Sequence, residues 1–257
     1  MKKLVQLLRD NAKPRPVNIK AAANEGGDEA TMYLYDVIDS YWGISAKSVA
    51  DALAGINPAA TLHVRVNSPG GDVFEARAIK TLLEERPGNT VVHVDGLAAS
   101  AATTIAMAGD EIVMADGSYF MIHNAWSIAL GNKADMTAMA ALLEKMDGTI
   151  AADYAARTGK GVEEIAALMD AETWMTASEA LAAGFVNRIA GAAESEPDGD
   201  EEPDEDDVNA RAHWNLAAYD KTPKALTERG KPTAARQPDY AAIHANNRRR
   251  LRLLEIA

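Results

Sequence analysis

Between residue 32 and about residue 190, short apolar runs of period two alternate with longer stretches whose apolar residues recur at helical spacing. Met32-Tyr33-Leu34-Tyr35-Asp36-Val37-Ile38 predicts a first strand, and Leu62-His63-Val64-Arg65-Val66 alternates strictly enough to predict a second. Further strands are predicted over 90–94, 111–114 and 119–122. Helical spacing predicts helices over 45–54, 73–85, 99–108, 136–155, 162–169 and 178–183, with Gly184 placed to cap the last. Strands that alternate with helices imply βαβ units and a layered α/β domain.

The flanks break this rhythm. Residues 1–30 are polar and irregular, with Pro14, Pro16, Gly26 and Gly27, and predict a flexible arm ahead of a domain over 31–191. Residues 192–208 contain a nearly pure acidic run from Glu194 to Asp207, interrupted by Pro197, Gly199 and Pro203, which predicts a disordered linker. Residues 209–257 then form a basic tail, with Arg211, Lys221, Lys224, Arg229, Lys231, Arg236 and the cluster Arg248-Arg249-Arg250-Leu251-Arg252.

Composition narrows the function classes. A 257-residue chain that is 47% hydrophobic can bury one substantial core. The absence of cysteine excludes disulfides and thiolate metal sites and points to a reducing compartment. A formal net charge of -12 argues against general nucleic-acid binding, leaving only the basic tail for it. The apolar start Leu4-Val5-Gln6-Leu7-Leu8 is broken by Gln6 and ends at Arg9 and Asp10, so it reads as non-secretory. No run reaches the roughly 18 apolar residues of a membrane span. A cytoplasmic protein with no membrane partner is the expectation.

Four short segments carry chemistry: Asn67-Ser68-Pro69-Gly70-Gly71, Gly96-Leu97-Ala98-Ala99-Ser100-Ala101, Met121-Ile122-His123 and Glu172-Thr173-Trp174-Met175-Thr176-Ala177. In that order they supply a glycine turn, a serine opening a helix, a histidine closing a strand, and a carboxylate before a second helix. Those are the parts of a serine hydrolase: an oxyanion cradle, a nucleophile, a base, and an acid that orients the base. Each segment alone has a plainer reading: a strand-to-helix turn, a capping serine, a structural histidine, a solvated carboxylate. His63 and His93 sit inside strands and His213 and His244 in the tail, so His123 is the better base. Glu172 and Asp170 compete as the acid. The Gly-x-Ser-x-Gly elbow of ordinary α/β-hydrolases is absent.

At these residues the chain resembles the ClpP family of serine proteases, and especially the ClpP-like head maturation (prohead) proteases of tailed bacteriophages. The resemblance spans about residues 32–190: the Asn-Ser-Pro-Gly-Gly turn, the Gly-x-Ala-Ala-Ser nucleophile motif, Met-Ile-His, and Met175-Thr176-Ala177-Ser178-Glu179-Ala180 followed by Gly184-Phe185-Val186. It implies a ClpP/crotonase-like fold of repeated βαβ units. Ser100 is then the nucleophile, His123 the base, and the amides of Gly71 and Ala101 the oxyanion hole, with Gly70 a near alternative to Gly71. The family's acid lies two positions before the aromatic residue here represented by Trp174, which selects Glu172 and leaves Asp170 as the fallback. The resemblance further implies a homo-oligomeric ring acting on protein substrates, helices within about 136–169 through which rings pair, and no metal or cofactor.

The chain departs from the family in Ser100-Ala101-Ala102, where Ser-Met-Gly is usual, and in Asn124-Ala125, where Gln-Pro is usual. The acidic linker and basic tail have no counterpart in the housekeeping protease. The favoured expectation is therefore a serine endopeptidase that processes capsid and scaffold proteins during phage head maturation, in the host cytoplasm or inside the prohead. Its rival is an ATP-dependent Clp proteolytic subunit working with an AAA+ unfoldase. Two other classes compete: an acyl-CoA enzyme of the crotonase fold, and an inactive scaffolding protein that keeps the fold.

Overall fold

The computed structural model describes residues 19, 21–24, 26–191, 214, 216 and 219–227. Its main unit ends at Lys221; in the second, which starts at Thr222, a helical turn covers Lys224–Thr227. The linker over 192–208 and most of the basic tail, including the arginine cluster, lie outside the described residues.

The main unit is built on one eight-stranded sheet. Strands β1 (Ala21–Ala23), β2 (Glu29–Leu34), β3 (Thr61–Ser68), β4 (Thr90–Ala99), β5 (Glu111–Met114) and β8 (Arg188–Ile189) run in that order across it. β1 pairs antiparallel with β2, and the other neighbours in this path are parallel. β3 shows why the alternating pattern works: Leu62, Val64, Val66 and Ser68 are buried while the residues between them are half-exposed. β4 is longer and buried along most of its length, as a central parallel strand requires.

Two features of β4 set up the site. Its first part, Val91 to Val94, pairs with β5, whereas Leu97 to Ala99 pairs with β6 (Tyr119–Ile122). The register against β3 also shifts, so that Val66 faces Val94 but Ser68 faces Ala98. β6 in turn pairs antiparallel with β7 (Thr173–Thr176). Parallel exits from β4 and β6 and the entry to β7 therefore meet at one end of these strands.

The helices are α1 (Ala46–Leu53), α2 (Val73–Glu84), α3 (Ala101–Ala106), α4 (Lys133–Thr158), α5 (Val162–Asp170) and α6 (Ala177–Ala182). Their starts follow capping chemistry: Ser45 and Ser48 form a capping box, Asp72 accepts from the amides of Phe74 and Glu75, and Thr176 pairs with Glu179. α2 packs on α1 and α3, and α5 on α4. An aromatic cluster of Phe120, Tyr154 and Phe185 ties β6, α4 and the segment before β8 together, with ring centroids 5.6 Å apart in both contacts. The first half of α4 is mostly exposed; its buried residues are Ile150, Ala151 and Tyr154.

The predicted elements are present with shifted ends. The first strand starts at Glu29 and stops at Leu34, because Ile38 leaves the sheet to bridge Gly71 and Ile44. The fourth strand runs on to Ala99, taking residues that helical spacing had assigned to a helix beginning at residue 99. Ala98 and Ala99 favour helix by propensity, but pairing with β6 holds them extended. β1 lies within the stretch predicted to be irregular, where its backbone completes the edge of the sheet.

Candidate active site

Ser100 directly follows β4 and caps α3, with φ 55° and ψ -126°. Positive φ is costly for a residue with a Cβ, and such strain persists only where neighbours over-determine it. Here the Ser100 amide donates to the Met121 carbonyl at 2.9 Å, and its own carbonyl accepts from the Thr103 amide at 2.9 Å and the Thr103 hydroxyl at 2.5 Å. Thr103 Oγ1 also meets the fully buried Tyr154 hydroxyl at 2.5 Å. Since Thr103 spends its proton on the carbonyl, Tyr154 donates to it.

His123 follows β6, one strand over. Its Nε2 lies 2.7 Å from Ser100 Oγ. Burial pushes the imidazole below its usual value, with the Glu172 charge opposing that shift. The neutral ring is therefore favoured, and a neutral ring can accept the serine proton.

The glycine turn is shaped by its neighbours. Gly70 has φ 92°, and a Cβ there would fall 2.5 Å from the Ala99 carbonyl and 2.8 Å from Ser100 Cβ. Only a glycine lets the turn lie against the serine this closely. The bridge to Ile38 uses the Gly70 carbonyl and the Asp72 amide, at 2.9 and 2.8 Å, which leaves the Gly71 amide outside it. The Gly70 amide is taken by Ser68 Oγ at 3.2 Å. Of the two glycine candidates, Gly71 thus has the uncommitted donor among the described residues. Ala101 is the first residue of α3, where amides have no partner within the helix.

The acid is less simply placed. Register pairs Ile122 with Thr173, so the next step outward brings His123 opposite Glu172. Glu172 occupies a left-handed conformation, φ 47°, just after α5. Yet its carboxylate accepts from Trp174 Nε1 at 3.1 Å, the Asp220 amide at 2.9 Å and the Lys221 amide at 2.7 Å. Among the described residues no hydrogen bond joins it to His123. Asp170 instead accepts from Asn124 Nδ2 at 2.6 Å.

Tyr219 went unrecognised in the sequence. Its ring packs edge-on to His123 at 5.3 Å and to Trp174 at 5.8 Å between centroids. Its hydroxyl donates to the Pro69 carbonyl at 2.7 Å. The signal was Trp214, Leu216 and Tyr219, three apolar residues interrupting a polar tail. Among the described residues, no group of three or more His, Asp or Glu side chains is arranged to hold a metal.

With this geometry in view, the comparisons with known proteins are specific. The chain matches the Clp protease family over residues 8–193. It belongs to that family. It is a serine-type peptidase of the Clp class. It is 31% identical to the ATP-dependent Clp protease proteolytic subunit 3 of Rhodococcus jostii over 163 residues, which covers 63% of this chain and 81% of that protein. It is 33% identical to a Streptococcus gordonii proteolytic subunit over 132 residues, covering 50% and 67% respectively. A ClpP1 variant from Listeria monocytogenes superimposes with a TM-score of 0.56 at 21% identity, over 66% of this chain and 96% of that one, a likeness of fold. No described helix is long and apolar enough to cross a membrane.

Proposed function

We propose that this Clp-family protein is a serine endopeptidase in which Ser100 attacks the scissile carbonyl and His123 Nε2 takes its proton. The 2.7 Å contact between Ser100 Oγ and His123 Nε2 carries the reading. The amides of Gly71 and Ala101 hold the oxyanion, each worth roughly a hundredfold to a thousandfold in rate. His123 then protonates the leaving amine, and a water that it deprotonates releases the acyl group from Ser100. Glu172 is the acid that orients His123. Asp170 is less suited, because the pairing of Ile122 with Thr173 brings Glu172, not Asp170, opposite His123. Fluorophosphonate labelling that maps to Ser100, and disappears in Ser100→Ala, tests the assignment; a label elsewhere contradicts it.

The substrate setting has two readings. The names of the related subunits support work beside an ATP-dependent unfoldase. The acidic and basic extension after the family match supports the other, processing of capsid and scaffold proteins during phage head maturation, with the tail as a delivery element. We favour the second because the extension serves no need of a simple ring peptidase. The exposed first half of α4, with Met136 and Leu142 partly exposed on it, fits a surface covered by a second ring in a homo-oligomer. Removing residues 222–257 should leave peptide hydrolysis intact and abolish incorporation into proheads; unchanged incorporation excludes the delivery role.

A further inference from the structure

We propose that Tyr219, Asp220 and Lys221 form an internal plug that keeps the catalytic cleft closed and withdraws Glu172 from His123. The inference rests on the serine-peptidase reading above. It adds the regulation of that site and names the occupant, a segment of the same chain.

Three observations converge on one short stretch. The Tyr219 ring packs edge-on against both the imidazole of His123 and the indole of Trp174, so it stands directly beside the base. Its hydroxyl donates to the carbonyl of Pro69, in the same turn that carries Gly70 and Gly71. The next two amides, those of Asp220 and Lys221, both donate to the Glu172 carboxylate, one to each oxygen. The Lys221 ammonium also bonds the Ala171 carbonyl, which pins the end of the stretch. A turn closed by the Tyr219 amide on the Leu216 carbonyl at 3.1 Å, with Leu216 buried, anchors its beginning.

The consequence is chemical as well as steric. A carboxylate already accepting two backbone amides and an indole N–H has less capacity to bond a fourth donor on the imidazole. With Glu172 so engaged, the ring lacks the partner that would stabilise its protonated form during proton transfer. A substrate must displace Tyr219 to reach the serine, and that displacement returns Glu172 to His123. Entry of substrate and completion of the triad are thereby one event.

The test uses the full-length chain with Tyr219→Ala and, separately, Lys221→Pro, which removes one amide to Glu172. Hydrogen exchange read by mass spectrometry reports docking of residues 219–221, and fluorophosphonate labelling with hydrolysis of an unstructured peptide reports the site. Slow exchange in the wild type, fast exchange in both variants, and a rise of about tenfold or more in labelling and hydrolysis are expected. Fast exchange of these residues in the wild type overturns the plug. Released exchange with unchanged rates overturns inhibition while leaving the peptidase reading intact. If the variants release the segment and Ser100 is labelled in none of them, the peptidase reading fails and the plug's role fails with it.

Discussion

Ser100 holds a backbone conformation that an L-residue avoids, and its carbonyl is the handle by which the fold keeps it there. The chain from Tyr154 through Thr103 to that carbonyl begins at a fully buried phenol whose acidity burial weakens, to about 12, so it stays a donor. Tyr154→Phe should cost about 1 kcal/mol of stability by the loss of one buried hydrogen bond, read by urea denaturation. It should also lower kcat more than it raises KM, because the serine loosens while the cleft stays. At Glu172, substitution by Gln keeps the shape and removes the charge. A loss in kcat on the order of a hundredfold or more is expected in a Tyr219→Ala background, against a small loss for Asp170→Asn. Equal losses would move the acid assignment to Asp170. Because burial holds the His123 imidazole below its usual value of 6.5, labelling of Ser100 should fall with decreasing pH at a midpoint below that value. Tyr219→Ala uncovers the ring and frees Glu172, both of which raise the midpoint; a downward move would contradict the account.

Strands account for what was readable in the sequence and what was not. The alternation in Leu62-His63-Val64-Arg65-Val66 names its own buried face, and the ends of β4 and β6 place Ser100 and His123 as neighbours because those strands pair from Leu97 to Ala99. The extension of β4 through Ala98 and Ala99 was not readable, since it is pairing with β3 and β6 that makes alanines extended there. Nor was β7, whose pairing with β6 puts Glu172 opposite His123. The partners of a carboxylate leave no mark on local spacing. Tyr219 was hidden for a further reason: it is far in sequence from Pro69, His123 and Trp174, which its side chain touches.

The central strands also carry a pH-sensitive contact outside the site. His63 Nδ1 and His93 Nε2 lie 3.0 Å apart between β3 and β4, so one ring donates and the other accepts. Burial, with the nearby charges of Arg65, His63 and Arg188 and against that of Glu111, depresses His93 to about 4. The unfolded histidine protonates near 6.5, so this stabilisation is complete above that pH and is lost as pH falls toward about 4. Melting temperature should drop over that window in the wild type and drop less in His93→Gln. An equal drop in the variant would assign the acid sensitivity to other groups.

For the molecule as a whole, charge and chemistry are unevenly shared along the chain. The α/β unit carries the Ser100–His123 pair. The acidic run from Glu194 to Asp207 separates the catalytic residues from Tyr219 by sequence, and the Tyr219 ring still packs against His123. A ring peptidase assembled from such chains would be latent at each site until the plug is lifted. The measurement that bears most directly on the central claim is mass spectrometric mapping of a fluorophosphonate adduct. It should be made on the full-length Tyr219→Ala protein beside its Ser100→Ala double variant. The account predicts one adduct, on Ser100, in the first protein and none in the second. No adduct in either, or an adduct that survives Ser100→Ala, would contradict it.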